Sequence, residues 1–184
     1  MESKTFYPET SIELVRRLRE GQEGKYYVVT LGCQQNEADG ERIRGMAEAM
    51  GYSAAKEPEE ASLIVVNTCA IREHAEKKTL SIVGQYKHLK EKKPSLVIAV
   101  CGCMMAQEHR QNDIKFRYPY VDFVFGPSSL HRFPQLLCEK RRLGKRIYCP
   151  EEAEYTVVED LPIRRESDYR AWVSVMYGCN NFCS

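Results

Sequence analysis

Three apolar, β-branched runs each lead into a turn that carries a cysteine. Tyr26-Tyr27-Val28-Val29-Thr30-Leu31 precedes Gly32-Cys33, Leu63-Ile64-Val65-Val66-Asn67 precedes Thr68-Cys69, and Leu96-Val97-Ile98-Ala99-Val100 precedes Cys101-Gly102-Cys103. The cysteines stand 36 (69−33) and 34 (103−69) residues apart, enough in each interval for the crossover helix that parallel strands require. If the three runs are neighbours in one parallel sheet, their carboxyl ends share an edge. That edge is where open α/β folds bind their ligands, and three thiols would meet there.

The rest of the chain keeps the same alternation. Thr10-Ser11-Ile12-Glu13 reads as a capping box for a short helix with Ile12, Val15 and Leu18 on one side, ending at Gly21. After Cys33 comes a helix with Ile43, Met46, Ala47 and Met50 on one face, capped by Asn36 and stopped by Gly51. After Cys69 a helix bears Ala75, Ile82, Val83, Tyr86 and Leu89 and finishes before Pro94, and another begins near Met105. A fourth run, Val121 to Phe125, is followed by a helix that Ser129 can cap and that carries Leu130, Phe133, Leu136 and Leu137. Strand and helix alternating four times predict an α/β domain, a parallel sheet with helices on both faces.

The boundaries follow from where this pattern holds. Residues 1–24 read as an amino-terminal extension, 25–146 as the α/β domain, 147–170 as a linker rich in acidic residues, and 171–184 as a new start. In that last stretch Ala171 to Met176 is a fresh strand signal, running into Gly178-Cys179-Asn180-Asn181-Phe182-Cys183. The expectation is a truncated protein, broken off inside a motif, whose second domain has only begun with its first strand.

Composition removes several classes of function. Lys+Arg 27 against Asp+Glu 26 gives a net charge of +1, so any nucleic-acid contact has to come from a local patch. No stretch reaches the roughly 18 apolar residues of a membrane span, and the charged first twenty residues lack a secretory core. The expected setting is cytoplasmic, where eight cysteines are reduced thiols, metal ligands or catalytic groups rather than a disulfide framework. Three thiolates with a free coordination position suit a reactive iron-sulfur cluster better than structural zinc, which four ligands usually close. Cys103 is the expected third ligand rather than Cys101, because Cys101 still belongs to the strand.

Leu31-Gly32-Cys33-Gln34-Gln35-Asn36-Glu37, Asn67-Thr68-Cys69-Ala70-Ile71-Arg72-Glu73 and Cys101-Gly102-Cys103-Met104-Met105-Ala106-Gln107-Glu108 resemble the three cysteine signatures of the radical S-adenosylmethionine methylthiotransferases, in that order. The tail from Gly178 to Ser184 resembles the opening of that family's C-x₃-C-x₂-C motif. The likeness runs from about Lys25 to the last residue. Two departures are Gln35, where methionine is common, and the additional Cys101.

The resemblance implies an auxiliary four-iron four-sulfur cluster on Cys33, Cys69 and Cys103. It implies that the second domain is a partial β/α barrel, truncated here, holding a radical-generating cluster whose first two ligands are Cys179 and Cys183 and whose third falls beyond Ser184, so that the chain alone is expected to be inactive. S-adenosylmethionine supplies both the radical and the methyl group in that family. The Ile71-Arg72-Glu73 element and Phe125-Gly126-Pro127 resemble the branch that methylthiolates N6-dimethylallyladenosine at adenosine-37 of tRNA, beside the anticodon; the threonylcarbamoyladenosine branch is the alternative. Implied partners are tRNA, a flavodoxin- or ferredoxin-like electron donor and a sulfur donor, with no membrane and a monomeric enzyme.

Weaker candidates have ordinary explanations. Lys140, Arg141, Arg142, Lys145 and Arg146 form a basic cluster that could meet tRNA phosphates, but a charge run at a helix end is usually a solvated face that complements the helix dipole. His74, His88, His109 and His131 have no metal spacing and read as surface or capping residues. Cys138 reads as a buried thiol and Cys149 as an incidental loop thiol. Asn36, Asn67 and Arg72 flank the ligand cysteines and either touch cluster or substrate, or only cap a helix and satisfy loops. Two other classes stay open: a non-catalytic zinc or iron-sulfur binding module, and a flavodoxin-like nucleotide or redox domain, for which no Gly-rich phosphate loop follows any strand.

Overall fold

A computed structural model describes residues 8–70, 73–149 and 160–174. Six strands form one sheet: β1 Lys25–Thr30, β2 Ser53–Ala54, β3 Leu63–Thr68, β4 Val97–Gly102, β5 Phe123–Phe125 and β6 Ile147–Tyr148. Their order is β2-β1-β3-β4-β5-β6 and every neighbouring pair is parallel. The three cysteine-bearing strands, β1, β3 and β4, are therefore consecutive neighbours. The chain turns one way from β1 to β2 and the other way to β3, which puts the topological switch between β1 and β3.

The helices are α1 Pro8–Leu18, α2 Gln34–Ala49, α3 Glu73–Gln85, α4 Lys87–Lys92, α5 Glu108–Arg117 and α6 Phe133–Leu143. Side chains of β3 and β4 are buried on both faces of the sheet. Leu63, Val65, Val97, Ala99 and Cys101 pack with Val15, Ile43, Met46, Phe133 and Leu137 from α1, α2 and α6. Ile64, Val66, Ile98 and Val100 pack with Val83, Tyr86, Leu89 and Ile114 from α3, α4 and α5. Helices thus cover both faces, as the alternation predicts, and the α2 face of Ile43, Met46, Ala47 and Met50 is fully buried.

Several local expectations are corrected. Helix α1 begins at Pro8, so Thr10 and Ser11 lie inside it rather than at a cap; proline's fixed φ favours the first helical position. Leu18 is 46% exposed, and Arg19 takes the buried place, its guanidinium 3.4 Å from the Tyr52 ring centre and donating to the Met50 carbonyl. The helix expected to run on to Pro94 is interrupted at Tyr86 between α3 and α4. A 3₁₀ turn, Cys103–Ala106, precedes α5, and a second one, Pro127–Arg132, precedes α6. Ser129 is in that second turn, not at a cap; α6 starts at Phe133 with Pro134 in its first turn, where a missing N–H costs nothing. His131 is 8% exposed, so it is not a surface residue, and the two-residue edge strands β2 and β6 carried no readable signal.

Residues 160–174 form no helix or strand and lie along α2. Leu161 packs on the core, and a Cβ at Gly45 would come within 2.2 Å of the Pro162 carbonyl oxygen, so only glycine lets the segment seat there. The Arg164 N–H donates to the Glu41 carbonyl at 2.9 Å, Arg44 meets Glu166 at 2.7 Å, and Arg165 meets Glu41 at 3.5 Å. The strand expected from Ala171 is not formed over 171–174, and Val175 and Met176 lie outside the described residues.

Candidate metal centre

The carboxyl edge of β1, β3 and β4 is built from three interlocked turns. Strand register aligns Thr30 with Asn67 and Cys101, and Thr68 with Gly102, so the chain leaves all three strands at one level. Gly32 has φ +140 and Gly102 has φ +95, values that L side chains rarely adopt. Each glycine also gives way to a neighbouring turn. A Cβ at Gly32 would lie 2.4 Å from the Cys69 Cβ, and one at Gly102 would lie 2.3 Å from the Thr68 carbonyl oxygen. Glycine directly before Cys33 and before Cys103 is thus a requirement of close approach.

Two buried asparagines tie the turns together. Asn36 Nδ2 donates to Asn67 Oδ1 at 3.2 Å and to the Thr68 carbonyl at 2.9 Å, and Asn67 Nδ2 donates to the Asn36 carbonyl at 2.8 Å. Asn36 Oδ1 accepts from the Cys33 backbone N–H at 3.2 Å and lies 3.3 Å from the Cys33 Sγ. Cys33, not Asn36, holds the N-cap position of α2; Asn36 sits three residues on and returns the hydrogen bond, the reciprocal half of a capping box. Thr68 Oγ1 donates to the Cys101 carbonyl at 2.7 Å, joining the third turn to the second. Both asparagines therefore spend their polar atoms on the turns themselves. Arg72 lies outside the described residues.

Burial first, then the charges of Cys69 and Cys33, push the Cys103 thiol up to about 11. Cys101 is fully buried on the α2 side of the sheet, its thiol pushed up by burial, with Asp39 and Cys103 adding to it. Among the described residues no three His, Cys, Asp or Glu side chains stand in an arrangement that holds a single metal ion. Cys179 and Cys183 lie outside the described residues.

Sequence reasoning missed a polar cluster on the first two turns of α2. Gln35 Nε2 donates to Asp39 Oδ1 at 3.0 Å and to Ser174 Oγ at 3.2 Å; Arg42 Nη1 donates to Asp39 at 3.1 Å and to Ser174 Oγ at 3.4 Å. Burial raises the Asp39 carboxyl above its ordinary value, against the pull of Arg42 and Gln35. No local signal announces this, since Ser174 is 139 residues from Gln35.

The weaker candidates resolve into structure. Lys140 pairs with Asp122 at 2.8 Å, Arg141 donates to the Tyr52 hydroxyl at 2.7 Å, and Arg146 donates to the carbonyls of Val121, Lys115 and Tyr118. Only Arg142 and Lys145 of that run are exposed. Cys138 is buried, and so is Cys149, which is no incidental loop thiol: it packs in the core with Arg132 Nη1 3.3 Å from its Sγ. His88 and His109 are exposed.

The profile described as uncharacterized protein family UPF0004 matches residues 25–126. The chain is 42% identical over 168 residues, 91% of its length, to a protein named tRNA-2-methylthio-N(6)-dimethylallyladenosine synthase in Clostridium botulinum (strain Alaska E43 / Type E3). It is 45% identical over 159 residues, 86% of its length, to the protein of that name in Natranaerobius thermophilus, and 45% identical over 166 residues, 90%, to that in Caldicellulosiruptor saccharolyticus. The chain spans 35 to 37% of the length of these curated relatives. The likeness read from the cysteine signatures is borne out. With a match that begins at β1, ends just past β5 and takes in all three cysteine turns, the chain belongs to the UPF0004 family.

Proposed function

We propose that this chain serves as the auxiliary-cluster domain of a radical S-adenosylmethionine tRNA methylthiotransferase that places a 2-methylthio group on N6-dimethylallyladenosine beside the anticodon. The observation that carries the reading is that Cys33, Cys69 and Cys103 each follow the carboxyl end of one of three adjacent parallel strands. The names of the relatives support the substrate. Three thiols make a soft donor set, suited to an iron-sulfur cluster. Burial first, and then the neighbouring Cys69 and Cys33, raise the Cys103 thiol, so binding a metal centre there would have to release its proton. When bound, a four-iron four-sulfur cluster on three thiolates keeps one iron free of protein, where sulfur can be presented.

In this reading Asn36 and Asn67 hold the turns in register, while Gly32 and Gly102 let the cysteines approach. Cys179 and Cys183 are the first two ligands of the radical-generating cluster, and S-adenosylmethionine, an electron donor and a sulfur donor complete the chemistry in a cytoplasmic, monomeric enzyme. No helix among the described residues is long and apolar enough to cross a membrane.

The test is anaerobic reconstitution with iron and sulfide. Cys33→Ala, Cys69→Ala and Cys103→Ala should each abolish the broad iron-sulfur absorption, while Cys101→Ala and Cys138→Ala should keep it. A full cluster in Cys103→Ala, with loss in Cys101→Ala, overturns the ligand assignment. An enzyme carrying this domain that ignores tRNA with N6-dimethylallyladenosine, yet modifies threonylcarbamoyladenosine, overturns the substrate.

A further inference from the structure

The amino edge of the sheet, a strand's length from the cysteine turns, holds a cavity whose charges do not cancel. Its volume is about 300 Å³, and Leu18, Lys90, Pro94, Ser95, Lys140 and Arg141 are among the residues that line it. Three of these are cations, and no carboxylate lines the cavity. The Lys90 and Lys140 side chains are only 18% and 16% exposed, and both meet the buried Asp122, Lys90 at 2.7 Å and Lys140 at 2.8 Å. One carboxylate thus faces two ammoniums. Arg141 forms no ion pair among the described residues; its Nε and Nη2 donate to the Tyr52 hydroxyl. Arg19, stacked on the same ring, adds a fourth cation close by.

Largely buried cations are costly unless a counter-charge completes them. Three lining cations less the one carboxylate leave a charge of at least +2, which calls for a divalent anion. We propose that this cavity binds a phosphate dianion, free or as the terminal group of a small phosphate ester, with Lys90, Lys140 and Arg141 as its donors. The donors have hydrogens to give. Lys90 spends two of its three on Asp122 and the Leu96 carbonyl, and Lys140 spends two on Asp122 and the Gly144 carbonyl. Arg141 keeps both hydrogens of Nη1, and a guanidinium beside ammoniums is a donor set suited to phosphate. Leu18 and Pro94 give the cavity an apolar wall that the carbon chain of an ester can occupy. From Val97, which lines the cavity, β4 runs six residues, roughly 20 Å, to Gly102 before Cys103. Phosphate binding here is therefore independent of any iron at the cysteine edge.

The test uses the metal-free 184-residue chain at pH 8, where phosphate is largely dianionic, in inorganic phosphate, glycerol 3-phosphate or chloride at matched ionic strength. Both phosphates should raise the thermal midpoint saturably, and titration calorimetry should give one site per chain. Tighter binding of inorganic phosphate identifies a free-phosphate site, and tighter binding of glycerol 3-phosphate an ester site. Arg141→Gln should weaken binding about tenfold or more, the usual effect of losing one charge-assisted hydrogen bond. Arg142→Gln, which removes an exposed charge outside the cavity, should leave it unchanged. Asp122→Asn removes the competing negative charge, so this variant should bind phosphate more tightly and recover in phosphate some of the stability it loses in chloride. A purely structural triad would show no such rescue. Absence of saturable binding by either phosphate, equal weakening in Arg141→Gln and Arg142→Gln, or equally tight binding of an RNA oligonucleotide without a terminal phosphate overturns the proposal.

Discussion

Replacing Gly102 by alanine tests whether the Cys103 turn is seated against its neighbour as tightly as the geometry states. Gly102 has φ 95 and ψ −172, a region nearly closed to residues with a Cβ, and holding alanine there costs about 1–3 kcal/mol. The new Cβ would also lie 2.3 Å from the Thr68 carbonyl oxygen and 2.8 Å from the Thr68 nitrogen, both backbone atoms that cannot swing aside. Relieving that overlap costs a further 1–3 kcal/mol or so, either as overpacking or as hydrogen bonds lost when the turns part. Gly144 is the internal control. Its φ is also positive, at 67, but nothing lies within 4 Å of its Cβ, so alanine there bears only the conformational cost of about 1–2 kcal/mol. In urea unfolding followed by circular dichroism, with a slope near 2 kcal/mol/M, Gly102→Ala should lower the midpoint by about 2 M and Gly144→Ala by less than about 1 M. Equal midpoints would refute the tight seating of the Cys103 turn on Thr68.

Two other outcomes are expected. Asp122 is buried between Lys90 at 2.7 Å and Lys140 at 2.8 Å and also accepts from the Ile98 N–H, so Asp122→Ala leaves two largely buried cations without a counter-ion. Thermal unfolding should show a loss of about 3–5 kcal/mol, and a loss below about 1 kcal/mol would show that the triad contributes little. In the metal-free chain the Cys103 thiol is pushed up to about 11 and Cys101 is raised as well, so the folded state keeps protons that the unfolded state releases near pH 9. Stability is then complete below about pH 9 and declines as pH rises toward 11. Tyr26, Tyr86 and Tyr120, each raised to about 12, and Tyr148, raised by burial, add to the decline only above about pH 10, which leaves Cys101 and Cys103, with the Cys138 thiol that burial also raises, in the first part of the window. A Cys101→Ala/Cys103→Ala chain whose stability falls just as steeply between pH 9 and 10 would contradict the assignment.

The cysteine edge was legible because its signals are local. β-branched runs such as Leu63 to Asn67 select extended backbone, the 3.6-residue period of Ile43, Met46, Ala47 and Met50 selects helix, and glycine before Cys33 and Cys103 marks a turn. Together with the rule that parallel strands need crossovers, these already placed three thiols on one edge. The errors share a cause in non-local competition. Leu18 lost its core position to Arg19 because the Tyr52 ring and the Met50 carbonyl stand ready for a guanidinium, and Tyr52 is 33 residues away (52−19). β2 and β6 are strands only because β1 and β5 offer them hydrogen bonds.

By itself, then, the order of residues determined the class of fold, the direction of the sheet and the candidate ligands, since each depends on spacing along the chain. Which turns interlock, which asparagine faces which carbonyl, and where 160–174 comes to rest were decided only by the tertiary structure. Asn36 finds Asn67 across 31 residues, Gln35 finds Ser174 across 139, and Gly45 is left bare for Pro162. Those pairings are set by register and packing between elements, for which a linear sequence carries no periodic signal.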